Sequence, residues 1–205
     1  MSYSSNLTIP SLASDPLGVL TTTAPVVRAA RLVTLNTAAI EALAARWAEA
    51  PWPAEDPDFL SLHYHDGTSR TANWVLLLDA LNFCFWADAG EPRWRIVWRD
   101  TTLDGYNALA AALTQAAATG YPLWDAHYLA QMDEATLHAI LRPATGSAEI
   151  PLFAARLANA REVGAVLLAR YDGQFVNAIA AANHDAVSLA ALLARDFASF
   201  NDVAD

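Results

Sequence analysis

The stretch Thr71-Ala-Asn73-Trp74-Val-Leu-Leu-Leu-Asp79-Ala-Leu-Asn82-Phe83-Cys84-Phe85-Trp86 decides the fold. It is nearly all large and apolar, and it is too long for a typical strand, so a helix is predicted over residues 71–86. Asp79 and Asn82 are the polar side chains of its second half. Three residues apart, they share a helix face. A carboxylate in such a run pays for desolvation unless it is hydrogen-bonded or paired. Two readings stay open: a structural aspartate that caps a neighbouring helix or bonds an arginine, or a polar pair reaching into a pocket walled by Phe83, Phe85 and Trp86.

Working outward, residues 93–99 alternate. Trp94, Ile96 and Trp98 face one way, and Arg93, Arg95 and Arg99 the other. That is the period of a strand with one face covered, and the chain around 99–103 can return as a second strand. The rest of the C-terminal side reads as helix. Residues 106–119 end at Gly120. Asp125 and Asp133 each cap a helix, the second running to Leu141 before Pro143. Residues 153–171 carry Phe153, Leu157, Ala160, Gly164, Leu167, Leu168 and Tyr171 on one face and end at Gly173. Helices over 175–182 and 185–197 follow. On the N-terminal side, residues 1–23 read as a polar, aperiodic, flexible lead-in. Pro25 suits the first turn of a short helix to Arg31, and Asn36 caps a helix over 37–50. Pro51, Pro53 and Pro57 make 51–58 a loop, and Asp66-Gly67 marks a turn. The expected class is all-α with one small β-hairpin, and the expected organisation is a lead-in over 1–23 followed by one helical domain over 24–205.

Composition narrows the function. A chain of 205 residues, 55% hydrophobic and 17% charged, is a globular domain and not a disordered one. Its net charge of -10 argues against a partner that is a nucleic-acid duplex, which requires a basic stripe. All 12 basic residues are arginine, so lysine Schiff-base chemistry and a Walker lysine are excluded within this chain. Cys84 is the single cysteine, which excludes an internal disulfide and a cysteine-held zinc and points to a reducing, cytoplasmic location. The first fifteen residues lack the basic and apolar regions of a signal peptide. Residues 105–124 are uncharged over a membrane-spanning length, but Asn107, Gln115, Gly120 and Pro122 interrupt them, so a buried helix and no membrane partner are expected.

His63, His65 and Asp66 imitate a metal site, but no second cluster follows at ligand spacing, and surface-loop histidines are the expectation. The seven tryptophans are read as core before they are read as a stacking surface. Asp202, near the end, is on its own an ordinary terminal carboxylate.

The string Asp79-Ala-Leu-Asn82-Phe83-Cys84-Phe85-Trp86 resembles the queuosine salvage protein family, the queuosine 5'-phosphate N-glycosylases. Gly105-Tyr106 after the hairpin, Leu141-Arg142-Pro143 before Ile150-Pro151-Leu152, Tyr171-Asp172-Gly173-Gln174-Phe175-Val-Asn177, and Phe197-x-x-Phe200-x-Asp202 extend the likeness over about residues 16–202. The resemblance implies a helical fold similar to helix-hairpin-helix DNA glycosylases and a domain incomplete at its C-terminus. It also implies hydrolysis of queuosine 5'-monophosphate, a small nucleotide, to queuine without cofactor or metal. Cleaving an N-glycosidic bond builds oxocarbenium character at the sugar, which a carboxylate stabilises. Asp202 is the expected catalytic carboxylate. Asp79 and Asn82 are expected either to hydrogen-bond the base edge or to support the pocket, with Phe83, Trp86 and Tyr106 as walls. The competing expectation is a non-catalytic helical module that binds a planar ligand or a protein.

Overall fold

The computed structural model describes residue 15 and residues 17–50 and 61–201. It divides into two compact units, residues 1–54 and 55–205.

The first unit contains α1 (Val19–Ala29) and α2 (Thr37–Glu49). α1 begins earlier than Pro25 suggests, so residues 19–23 are helix and not lead-in. The reason is Asp15, whose carboxylate accepts from Leu20 N at 3.1 Å and Thr21 N at 2.7 Å, satisfying donors that a helix start leaves open. Pro25 therefore lies inside the helix. Asn36 caps α2 as expected, accepting from Ala39 N at 3.0 Å. The predicted 51–58 loop lies outside the described residues.

The second unit opens with the Asp66-Gly67 turn and α3 (Ser69–Leu81). Asp66 accepts from Thr68 N at 2.9 Å, and Gly67 has φ +73°. α3 stops five residues short of the predicted end at Trp86. Asn82 is its C-cap (φ −87°, ψ 70°), and Cys84 turns to φ +43°. Apolar content could not reveal this end, because Phe83, Cys84 and Phe85 beyond it stay half-buried without being helical.

β1 (Arg95–Trp98) and β2 (Thr101–Asp104) form the expected antiparallel hairpin, with Ile96 opposite Leu103 and Trp98 opposite Thr101. Arg99 and Asp100 both have positive φ, the backbone of a tight primed turn. Trp94 and Ile96 are buried and Val97 is exposed, as the alternation requires. The chain then enters α4 (Gly105–Ala118), α5 (Ala126–Ala130) and α6 (Glu134–Ile140), the last two capped by Asp125 and Asp133. The segment after α6 is fastened to β1, with Ala144 N donating to Arg95 O at 2.7 Å, while Trp94 Nε1 donates to Leu141 O at 3.0 Å.

α7 (Phe153–Arg170) is the spine of this unit, followed by α8 (Phe175–Ala181), α9 (Ala186–Asp196) and a short 3-10 turn at Ala198–Phe200. It meets α5 at Gly164, where an added Cβ would lie 2.3 Å from Ala130 N and 2.5 Å from Ala126 O. Only glycine permits that backbone approach. Asn73 locks α3 to the far end of the unit. Its amide donates to Trp124 O (2.9 Å) and Gly173 O (2.8 Å) and accepts from Phe175 N (2.7 Å). The described residues are thus mostly helical with one small antiparallel sheet. No single helix among them is long and apolar enough to cross a membrane.

Candidate functional site

Three segments far apart in the chain bring titratable groups together. α3 carries Asp79 two residues before its end. The first turn of α4 carries Tyr106, directly after Gly105 at φ +57°. The segment before the Asp66-Gly67 turn carries His63. His63 Nε2 and the Tyr106 hydroxyl are hydrogen-bonded at 2.7 Å. The imidazole also meets Trp74 edge-on, with ring centroids 6.0 Å apart.

Asp79 lies close enough to His63 and Tyr106 to interact with them through charge. Its surroundings raise its carboxyl pKa, first by desolvation, with His63 opposing. Burial raises the Tyr106 phenol, and the negative charge of Asp79 adds to that. Asp79 nevertheless keeps exposed surface, as does Asn82. A carboxyl disfavoured as an anion, beside an imidazole and a phenol, forms a set able to accept, donate and hand on a proton.

The other expected residues spread out from this centre. Asn82 is the C-cap of α3, its N–H donating to Asp79 O at 3.1 Å, so the predicted pair closes the last turn of the helix. Phe83 is half-buried and lies against Arg156, whose Cζ is 4.3 Å from the ring centroid. Trp86 is 76% exposed and lines a hollow of about 90 Å³ with Phe85, Arg93, Trp94, Asp104 and Gly105, the residue before Tyr106. Asp202 lies outside the described residues. A roomier cleft, about 430 Å³, is lined by Gln115, Tyr121, Arg142 and Thr145 among others; it holds no carboxylate and none of these groups.

His63 corrects the sequence reading. It is half-buried and hydrogen-bonded, not a surface-loop histidine, whereas His65 is exposed as expected. Nothing in its local sequence distinguishes it from His65. Among the described residues no group of three His, Cys, Asp or Glu side chains is placed to hold a metal ion. Of the tryptophans, Trp74 and Trp94 are core, and Trp47 and Trp86 are exposed.

Comparison with known proteins matches residues 62–205 to the family model described as queuosine salvage protein. A Sphaerobacter thermophilus protein named queuosine 5'-phosphate N-glycosylase/hydrolase is 46% identical over 198 residues, covering 93% of this chain and 57% of the relative. Proteins of the same name from Nematostella vectensis and Mus musculus are 33% and 32% identical, covering 70% and 77% of this chain and 41% and 47% of the relatives. The chain thus spans about half the length of the curated relatives it matches. With the family model covering well over half of its residues and the Asp79 to Trp86 string inside the match, this chain belongs to the queuosine salvage protein family.

Proposed function

We propose that this protein hydrolyses the N-glycosidic bond of queuosine 5'-monophosphate and releases queuine for salvage into tRNA modification. The observation that carries the reading is the convergence of Asp79, His63 and Tyr106 within the segment matched by the family. In such a hydrolysis the C–N bond breaks with its electrons going to the base, water oxygen bonds to the sugar carbon, and the base gains a proton. The sugar side needs a carboxylate to stabilise developing positive charge, the role assigned to Asp202. The base side needs donors and a proton source. Asp79, Asn82 and the His63–Tyr106 pair fit that side, with Phe83, Trp86 and Tyr106 as walls. Neither a cofactor nor a metal is required by this scheme, and a net charge of -10 suits a free nucleotide better than a duplex. We read the helical fold as related to helix-hairpin-helix DNA glycosylases and the location as cytoplasmic, in keeping with a lone cysteine.

The deciding experiment mixes full-length protein with queuosine 5'-monophosphate and follows the base by chromatography. Release of queuine is expected. Its absence, with nucleotide binding seen only as a tryptophan fluorescence change, would overturn hydrolysis in favour of a binding module.

A further inference from the structure

Arg156 sits in the apolar stripe of α7 and is fully buried, with 0% of its surface exposed. A buried guanidinium ordinarily finds a carboxylate. This one is spent on main-chain carbonyls. Nε donates to Pro151 O at 3.0 Å, Nη1 to Leu81 O, and Nη2 to Phe83 O and to Cys84 O, the last at 2.9 Å. Its Cζ lies 4.3 Å from the Phe83 ring centroid and 4.9 Å from that of Phe85, so the two rings supply the cation–π contacts that replace a counter-ion. Burial lowers its pKa to about 10, which leaves it cationic at neutral pH.

What Arg156 holds is the exit from α3. Leu81 is the last helical residue, and Cys84 has a left-handed φ of +43° that a non-glycine residue adopts only when its surroundings impose it. Asn82 lies between two clamped carbonyls, Asp79 two residues ahead of the first, and Trp86 two residues beyond the last. The five planar donors of guanidinium suit several carbonyls at once, which a lysine ammonium cannot match in one plane. Asn159 Nδ2, one turn along α7, donates to Ala80 O at 2.9 Å and continues the same seam.

We propose that Arg156 is a positioning residue for the base side of the site. By clamping the Leu81, Phe83 and Cys84 carbonyls it sets Asn82, Phe83 and Trp86 relative to Asp79 and Tyr106. This rests on the glycosidase reading above.

The test uses full-length protein with Arg156→Met, which keeps an apolar stem and removes every donor, and Arg156→Lys, which keeps the charge and part of the bonding. Turnover of queuosine 5'-monophosphate is measured at a temperature where each variant is shown to be folded. Cys84, the single cysteine, reports on the loop through its rate of reaction with a thiol reagent. In Arg156→Met, kcat/KM should fall about 100-fold, as misplacement of a reacting site by an ångström does. Cys84 labelling should speed up, and Arg156→Lys should restore part of both. Folded Arg156→Met with parental kcat/KM would overturn the proposal, as would a Lys variant that restores folding and loop protection but no activity. If Arg156→Met does not fold, Arg156→Lys decides: parental kcat/KM with faster Cys84 labelling overturns the proposal, and a joint change supports it. A parental protein that releases no queuine would instead sink the glycosidase reading, and with it the role proposed here.

Discussion

His63 and Tyr106, separated by 43 positions in the chain, meet with Nε2 and the phenolic oxygen 2.7 Å apart beside the carboxylate of Asp79. Tyr106 is expected as a wall from the Gly105-Tyr106 likeness, but nothing in the immediate sequence of His63 marks it as its partner. Together they make a hydrogen-bonded pair of the kind that can pass a proton, next to a carboxyl that burial disfavours as an anion.

If that pair acts as one unit, removing either member should cost nearly as much as removing both. Tyr106→Phe and His63→Ala are each expected to lower kcat/KM by about 100-fold, the lower end of what a positioned acid–base group contributes. The double variant should show strong non-additivity. Steady-state kinetics of the four proteins provide the check, and two independent, multiplying losses would show that the pair does not function together.

Asp79 should trade stability for function. Desolvation raises its folded pKa above the unfolded value, so the folded state favours its protonated form. Its contribution is most favourable below the unfolded pKa and is lost as pH rises through the folded one. Asp79→Asn should therefore raise Tm at pH 7 while abolishing or severely slowing turnover, and the gain in Tm should fade below about pH 4, where the carboxyl is protonated in both states. Thermal melts of both proteins across pH 3–8 test this; a gain that grows toward acid would contradict it.

Gly164→Ala sets two local effects against each other. Alanine gains about 1 kcal/mol in helix propensity over glycine. Its Cβ would stand 2.3 Å from Ala130 N and 2.5 Å from Ala126 O, both backbone atoms that cannot swing aside. Overpacking of this kind costs about 1–3 kcal/mol or more, and two backbone atoms put it at the upper end. Net destabilisation in urea is expected, and a variant more stable than the parent would refute the close approach of α5 and α7.

Asp202→Asn is expected to abolish turnover while leaving nucleotide affinity within about tenfold, roughly 1.4 kcal/mol, because charge stabilisation at the sugar is needed mainly in the transition state. Calorimetric binding alongside a turnover assay separates the two. Parental rates would remove Asp202 from the catalytic role.

Where short-range chemistry decides, the sequence was a sound guide. The caps Asn36, Asp125 and Asp133 start their helices, the Trp94-Ile96-Trp98 alternation makes a half-covered strand, and the stripe from Leu157 to Tyr171 is the buried face of α7. The start of α1 differs from the expectation because Pro25 is an obvious signal and Asp15, ten residues earlier, is a quiet one. Arg156 was legible in principle, since an arginine one residue before Leu157 falls inside the apolar stripe.

The sequence by itself determined the helical class, the hairpin and the family, because each depends on residue order or on periodicity along one element. Tertiary structure alone decided that α3 ends at Leu81, that His63 leaves the surface to join Tyr106, and that Asp79 is shifted toward its neutral form. The first two depend on groups 75 and 43 positions away, the Arg156 guanidinium and the Tyr106 hydroxyl, and the third on burial in the folded chain. Hydrogen bonding and desolvation act through space, and no pattern along the chain encodes which distant group will arrive.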